Sequence, residues 1–408
     1  MLTPEQREEF NKIFTELAKS LDISKEQHDA AVASYEHVGE WLARPESPLA
    51  PYKPEILPQG SFLYGAITKP IHEDDELDID LVCRLEAKKA EWTQFNLKKI
   101  VGDRLSAHAT YKRLLDEEGR RCWTLKYADS AKFHLDILPS IMSSNFKVLI
   151  EKSMSNRRQE ITNVEDLAIR ITDKESFNYR DATNPDEWLK SNPFGYAMWF
   201  ERQASLEFQK AFTLLEAVQP VPLYRSEKEP LVRMVQILKR HRDIMFNGDC
   251  DKPISIIITT LAGMAYQKET SIIQGLLNII DRMPEMIQER YDPVLRKFIK
   301  WIPNPVNAME NFADKWPDNP QKEENFNKWI KQIKLDVQKA TGERGSYRIQ
   351  EALGNSFGQR EVTKAFSNLG DNARLLTESG NHRMAAVTGI LGSQGTKIPQ
   401  HNFHGKEN

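Results

Sequence analysis

The sequence predicts an α+β fold, with β-strands in the first third of the chain and helices dominating the rest. Three observations carry this expectation. Between residues 60 and 139, short β-like runs alternate apolar and polar residues, with one helical interlude near 91–105. From about residue 155 apolar residues recur at helical spacing, most clearly over 194–218, 230–246, 254–268 and 271–280. At 408 residues the chain exceeds a usual single domain, so two packed lobes are expected, at 1–155 and 156–370, with a tail at 371–408.

Each element has its own signal. Thr3 caps a first helix, Pro4 suits its first turn because no N–H partner is needed there, and Gln6 completes a capping box. Phe10, Ile13, Phe14, Leu17 and Leu21 then form one apolar stripe. A second helix is expected after Ser24, running toward Trp41 and stopping before Pro45. Prolines 45, 48, 51, 54 and 58 predict an ordered connector over 44–58 rather than a strand. The runs 122–127 and 132–138, joined by Ala128-Asp129-Ser130-Ala131, predict a hairpin. A further helix is expected over 323–340. The helical signal fades from Asp371, and 392–408, poor in apolar residues, is expected to be mobile.

The totals exclude some function classes. A protein that grips long DNA or RNA neutralises phosphates with an evident basic balance, and a net charge of -3 does not supply one. The phosphates handled here are therefore expected on small molecules. Cys83, Cys122 and Cys250 are widely spaced, which argues against a disulfide framework or a structural zinc site. The N-terminus shows no basic region followed by an apolar stretch. The most apolar run, 254–265, is too short and too rich in hydroxyls to cross a bilayer. A cytoplasmic protein without a membrane partner is expected.

The residues most telling of chemistry are acidic. In Leu77-Asp78-Ile79-Asp80-Leu81-Val82, alternation along a strand sends both carboxylates to one face and Leu77, Ile79 and Leu81 to the other. In Phe133-His134-Leu135-Asp136-Ile137-Leu138 the same rule places Asp136 opposite its apolar neighbours, and the hairpin reading puts its strand beside that of Asp78 and Asp80. Three like charges crowded on a sheet repel unless cations neutralise them, and hard oxygen ligands suit Mg²⁺ or Mn²⁺. Two such ions serve nucleotidyl transfer, activating an attacking hydroxyl and neutralising leaving pyrophosphate. Gly60 lets the backbone approach phosphates, which Ser61 and backbone N–H groups can cradle. The cluster Lys239-Arg240-His241-Arg242 is compatible with a triphosphate pocket or with a solvated face. His134 is expected to line the site or bond locally. Tyr196 and Trp199 are expected in a core rather than stacked on a base, and Thr259 and Thr260 bonded to backbone or a neighbour.

With Gly60-Ser61, Asp78-Ile79-Asp80 and Asp136 in this order, the chain resembles the polymerase-β-type nucleotidyltransferases. More narrowly, "QGSFLYGAITKP", "LDIDLVCRL" and "FHLDILPSI" look like the bacterial cyclic-oligonucleotide synthases of the CD-NTase (SMODS) type, relatives of cyclic GMP-AMP synthase and oligoadenylate synthase. The likeness continues in "NPFGYAMWF", "LVRMVQILKRHRD", "KPISIIITTLAGMAY" and "IPQHNFHG", nearly the whole chain.

The resemblance implies a polymerase-β-like catalytic lobe with its N-terminal helices at 1–155, a helical lobe at 156–370, and an active site in the cleft between them. It implies two metal ions held by Asp78, Asp80 and Asp136, and triphosphate contacts from Lys239 and from Ser255, which opens the next helix. Nucleoside triphosphates, ATP or GTP above all, are the implied substrates. The implied product is a cyclic di- or trinucleotide messenger of anti-phage (CBASS-type) signalling. Regulatory proteins, or partners that conjugate the C-terminus, are implied as well; the tail runs past "HNFHG" to Lys406-Glu407-Asn408. The absence of a Cys/His zinc cluster sets the chain apart from the animal relatives. The rival expectations are a nucleotidyltransferase that makes linear oligonucleotides or modifies tRNA or protein, and a catalytically silent nucleotide-binding scaffold.

Overall fold

The computed structural model describes every residue except 1, 73, 128–131, 156–163, 207–223, 379–382, 386–387, 390, 393–394 and 398–408. Two compact units emerge, and they are interleaved in sequence. A sheet unit spans Ile23–Glu227 and Pro303–Glu310, and a helical unit spans Met1–Asp22, Lys228–Ile302 and Asn311–Asn408. The sequence suggested contiguous lobes divided near residues 155 and 370. The first helix shows why connectivity and packing part company, because its apolar stripe finds its partners more than two hundred residues away, from the helix at Pro230–Phe246 to the one at Gln359–Glu378.

The sheet unit contains α2 (Lys25–Ala43), β1 (Glu55–Pro58), the short α3 (Gly60–Leu63), β2 (Leu77–Leu85), α4 (Gln94–Ser106), α5 (Ala109–Leu114), β3 (Trp123–Tyr127), β4 (Phe133–Met142), α6 (Ser144–Ser155), β5 (Ile169–Ile171), β6 (Leu189–Ser191) and α7 (Pro193–Ala204). Ser24 and Gln27 close the capping box of α2. The strand order is β1-β2-β4-β5-β6, and β3 pairs with β4 as well. β2 and β4 run parallel, and the other pairs are antiparallel. β4 is the spine: β2 lies on one side, while β3 and then β5 share the other.

Three expectations are corrected here. The proline-rich connector ends in a strand, β1, after all. Pro58 is its last residue, paired with Leu81, and as an edge strand β1 lacks a second neighbour that would need its N–H. Strands also continue past residue 155, since β5 and β6 extend the sheet; three residues each are too few for a period-2 pattern to show. Finally, the helix expected over 194–218 is α7, ending at Ala204 where Ser205 caps it, and the remainder falls partly outside the described residues.

The two sheet faces are covered differently. On one, Leu77, Ile79, Leu81, Leu135 and Ile137 join Tyr35, Val38 and Leu42 of α2 and Leu97, Val101 and Leu105 of α4 in one core. On the other face, among the described residues of this unit, Val82, Leu138 and Met142 of the distal half pack against Phe146 of α6 and Phe194 and Met198 of α7. The proximal half of that face carries the acidic residues.

The helical unit gathers α1 (Pro4–Ser20), α8 (Pro230–Phe246), α9 (Ser255–Ala265), α10 (Ile272–Arg282), α11 (Pro320–Gly342), α12 (Ser346–Phe357) and α13 (Gln359–Glu378) with a hairpin of β7 (Gln288–Asp292) and β8 (Lys297–Trp301). The Thr3–Gln6 capping box forms as expected. Phe10, Ile13, Phe14 and Leu17 are buried, and Phe14 meets Phe357 edge-on at 6.1 Å. Helix continues through Asp371 to Glu378, beyond the point where the pattern fades, because Val362, Ala365, Leu369 and Ala373 keep one buried stripe. Within 383–397 short strand pieces form a small sheet, and Thr388 is fully buried; residues 398–408, expected to be mobile, lie outside the described residues.

Candidate active site

Register decides which side chains share the proximal half-face. Parallel pairing of β2 and β4 sets Asp78 beside His134 and Asp80 beside Asp136. Antiparallel pairing of β3 sets Lys126 beside His134 and Thr124 beside Asp136. Two rows therefore cross the strands: Asp80, Asp136 and Thr124 in one, Asp78, His134 and Lys126 in the other. The intervening residues Leu77, Ile79, Leu125, Phe133 and Leu135 are buried on the opposite face. Such burial fixes the register, since a slip of one residue would drive the carboxylates into the core.

The hairpin turn contributes to this placement. Lys132 adopts a left-handed φ of 48°, and its N–H still donates to the Tyr127 carbonyl at 3.1 Å. The first ladder pair is thus Tyr127 with Phe133. Pairing Tyr127 with Lys132 instead would have set Thr124 opposite Leu135 and turned it into the core.

Contacts within the rows are specific. The Thr124 hydroxyl donates to Asp136 Oδ1 at 2.5 Å. His134 Nε2 is in direct ion-pair contact with Asp78 Oδ1, and its Nδ1 lies 3.4 Å from Glu76 Oε2. That hydrogen bond to Asp78, working against the cost of burial and aided by the Asp78 and Asp136 charges, pushes His134 up to about 9. Lys126 is drawn aside to Asp116 at 2.6 Å, so its cation does not fill the carboxylate cluster. Burial, reinforced by the charges of Asp136 and Asp80, pushes the neighbouring Cys122 thiol up to about 12. Cys122 is accordingly a neutral neighbour rather than a thiolate ligand.

Gly60 and Ser61 begin the turn that follows β1. The Gln59 N–H donates to the Asp80 carbonyl at 2.9 Å, tying the turn to β2. Gly60 takes a φ of 58°, and a Cβ there would stand 2.8 Å from Asp80 Oδ2. Glycine is therefore required twice, for the backbone conformation and for room beside the carboxylate. Phe62, buried, stacks on His28 of α2 at 5.2 Å and anchors the turn from behind.

Ligand atoms of Asp78, His134 and Asp136 lie within 4.8 Å of one another, close enough for one cation. Asp80 stands beside them on the same face, its carboxylate against Gly60. The three carboxylates form a hard oxygen donor set, which fits Mg²⁺ or Mn²⁺. Asp249, Cys250 and Asp251 form a second, exposed group, with Asp251 already engaged by Asn319 and Lys322.

The structure thus brings Gly60, Asp78, Asp80 and Asp136 together, with Ser61 next to Gly60. Lys239 and Ser255 belong to the helical unit. The basic cluster is not a solvated face, because Lys239, Arg240, His241 and Arg242 are all buried. His241 pairs with Asp336 at 3.0 Å, and Arg242 donates to Ser255 Oγ at 3.2 Å and to the Pro253 carbonyl at 2.7 Å. Ser255 is the first residue of α9 rather than its cap, and its carbonyl accepts from Thr259. Tyr196 is buried beside Tyr64, as expected of a core residue. Sequence reasoning passed over Thr124; its signal was a β-branched hydroxyl in the strand adjoining Asp136.

Residues 54–139 match the family described as the nucleotidyltransferase domain of cyclic GMP-AMP synthase DncV-like proteins. A c-di-GMP synthase of Roseivirga ehrenbergii is 26% identical over 396 residues, covering 96% of this chain and 95% of that protein. The cyclic dinucleotide synthase CdnG of Bradyrhizobium diazoefficiens is 25% identical over 414 residues, covering 95% and 91%. The fold matches the structure of that organism's CD-NTase CdnG in complex with GTP, with a TM-score of 0.63 at 22% identity, over 89% of this chain and 99% of that one. Taken with the carboxylate rows on β2 and β4, these matches show a DncV-like nucleotidyltransferase domain at 54–139, in a chain similar along nearly its whole length to cyclic dinucleotide synthases.

Proposed function

We propose that this enzyme joins nucleoside triphosphates, with GTP among them, into a cyclic dinucleotide that serves as a second messenger in anti-phage defence. The observation that carries the chemistry is the register-locked cluster of Asp78, Asp80 and Asp136 with Gly60 against it. Its direction toward a cyclic dinucleotide is supported by relatives named for such products along nearly the whole chain.

In this reading Asp78, Asp80 and Asp136 would hold two Mg²⁺ or Mn²⁺ ions, which would neutralise charge at the phosphates and lower the pKa of an attacking sugar hydroxyl. Asp136, in the other row from the Asp78–His134 pair, would hold the ion on the acceptor side. The Gly60 and Ser61 turn presents backbone N–H groups and a hydroxyl to the triphosphate. Lys239 and Ser255 are the residues of the helical unit proposed for triphosphate contact, Lys239 as a point charge and Ser255 at a helix start. One hydroxyl attacks one α-phosphorus and pyrophosphate leaves, giving a linear pppNpN. Repeating the step with the remaining triphosphate closes the ring, and a second pyrophosphate departs.

The test is incubation of the purified protein with all four ribonucleoside triphosphates and Mg²⁺ or Mn²⁺, followed by phosphatase and mass spectrometry. The expected product is phosphatase-resistant and has as many phosphates as nucleosides. Only linear, phosphatase-sensitive products would overturn cyclisation. Asp78→Asn and Asp136→Asn are expected to abolish product while circular dichroism stays unchanged. Normal product from either variant would sink the carboxylate assignment.

A further inference from the structure

The Asp136 carboxylate has two oxygens, and one of them is already taken. Thr124 Oγ1 donates to Oδ1 at 2.5 Å, across a ladder pair in which the two residues are direct partners. We propose that Thr124 is a positioning residue for the acceptor-side metal: by holding Oδ1 it fixes the carboxylate's rotation and presents Oδ2 to the cation. This inference rests on the nucleotidyltransferase reading of the same site.

Three features make the contact a built one. Threonine is β-branched, so a strand restricts its χ1 and the hydroxyl has little freedom to turn away. The pairing depends on the left-handed Lys132, which moves the β3–β4 register by one residue and brings Thr124 out of the core. The approach to β3 is also braced. Asp173 receives both Arg120, at 2.7 and 2.8 Å, and Arg121, at 2.8 Å, immediately before Cys122 and β3. Asp173 is fully buried, and its own N–H donates to Gln94 Oε1 on α4 at 2.9 Å. A hydroxyl held on a braced strand orients its acceptor at no cost when the metal arrives.

The hydrogen bond also sets the donor character of Asp136. A neutral hydroxyl takes a share of the carboxylate's charge without cancelling it, so Oδ2 keeps its anionic ligand strength. By contrast, the Asp78 carboxylate is engaged by the His134 side chain, which a cation entering there must displace. The two acidic arms of the site are thus supported by different chemistry, a fixed one at Asp136 and an exchangeable one at Asp78.

Partners that orient metal ligands are worth about 10–100-fold in metal affinity or activity. The test compares wild type, Thr124→Val, which keeps the shape and removes the donor, and Thr124→Ser, which keeps the donor. Mn²⁺ binding to the nucleotide-free proteins is followed by the EPR signal of free Mn²⁺, and kcat and KM for GTP are measured separately. The expected result is weaker Mn²⁺ binding and a kcat about 10–100-fold lower for Thr124→Val, with KM little changed and Thr124→Ser close to wild type. Should Thr124→Val fail to fold by circular dichroism, Thr124→Ala takes its place with the same readings. Wild-type Mn²⁺ affinity in the valine or alanine variant overturns the inference, as does equal damage in the serine variant, which would indicate packing alone. If wild type binds Mn²⁺ but yields no nucleotide product, the enzymatic reading fails while the Mn²⁺ comparison still decides the role of Thr124.

Discussion

Gly60 and Asp80 constrain each other. A φ of 58° and a 2.8 Å approach to Oδ2 leave a side chain no place at residue 60. Gly60→Ala is expected to cost roughly 1–2 kcal/mol of stability from the left-handed backbone. Its larger effect falls on catalysis, because the turn or the carboxylate must shift, and a misplacement of about 1 Å at the reacting groups lowers rate by about 10²-fold. Steady-state kinetics beside urea unfolding separates the two, and an alanine variant with full activity would show that the contact is not needed. The carboxylates themselves were legible in the sequence, since aspartate is uncommon in strands and period-2 alternation gives its face. Thr124 and the His134–Asp78 pair were not legible in that way. Thr124 depends on the β3–β4 register beside the left-handed Lys132, a residue type with no left-handed preference, and the His134–Asp78 pair on the parallel β2–β4 register, which joins strands about fifty residues apart.

At the scale of elements, the segment leading into β3 is held by a charged knot. Burial alone would raise the Asp173 carboxyl, but hydrogen bonds from Arg120 and Arg121 outweigh it and hold the group at about 2, against 3.8 for an ordinary aspartate. A depressed folded-state pKa stabilises fully above the unfolded value, and the contribution is lost as pH falls through the folded one. The stability that Asp173 contributes is therefore expected to decline between about pH 4 and pH 2. It should amount to roughly 1–2 kcal/mol, reduced by screening at the part-exposed guanidiniums. Urea unfolding of wild type and Asp173→Asn across this range checks the sign: the gap should narrow as pH falls, and a gap that widens contradicts it. Neither the knot nor β5 and β6 could be read from sequence, because three-residue strands and contacts fifty residues apart leave no local period. The long amphipathic helices were readable, caps included, since their signal is local.

At the scale of the whole molecule, the chain passes between units at 22/23, 227/228, 302/303 and 310/311. Removing the first helix therefore injures the helical unit, although Ile23 begins the sheet unit. Phe14→Ala is expected to cost about 3–5 kcal/mol there, the usual range for a buried phenylalanine. Peptide-resolved hydrogen exchange checks this through faster exchange in α12 and α13; unchanged protection of α12, which carries Phe357, would contradict the packing. Asp22 adds a charged clasp to the same unit, bound by Lys228 at 2.6 Å and Arg233 at 2.5 Å.

The place of α1 also bears on synthesis. It leaves the ribosome first, yet Phe357 of α12 and Asn368 of α13, which bonds Glu16, are among the last described helical residues made. At about 5–20 residues per second, α1 waits roughly 20–70 s for these partners. Through that interval Phe10, Ile13, Phe14 and Leu17 have no native cover from α12 or α13, while the strands carrying Asp78 and Asp136 are already complete. The strands of the acidic cluster are thus made well before the first helix meets its last partners. Yield in the cell should accordingly depend on whatever shields that stripe, a sensitivity that purified, refolded protein would not display.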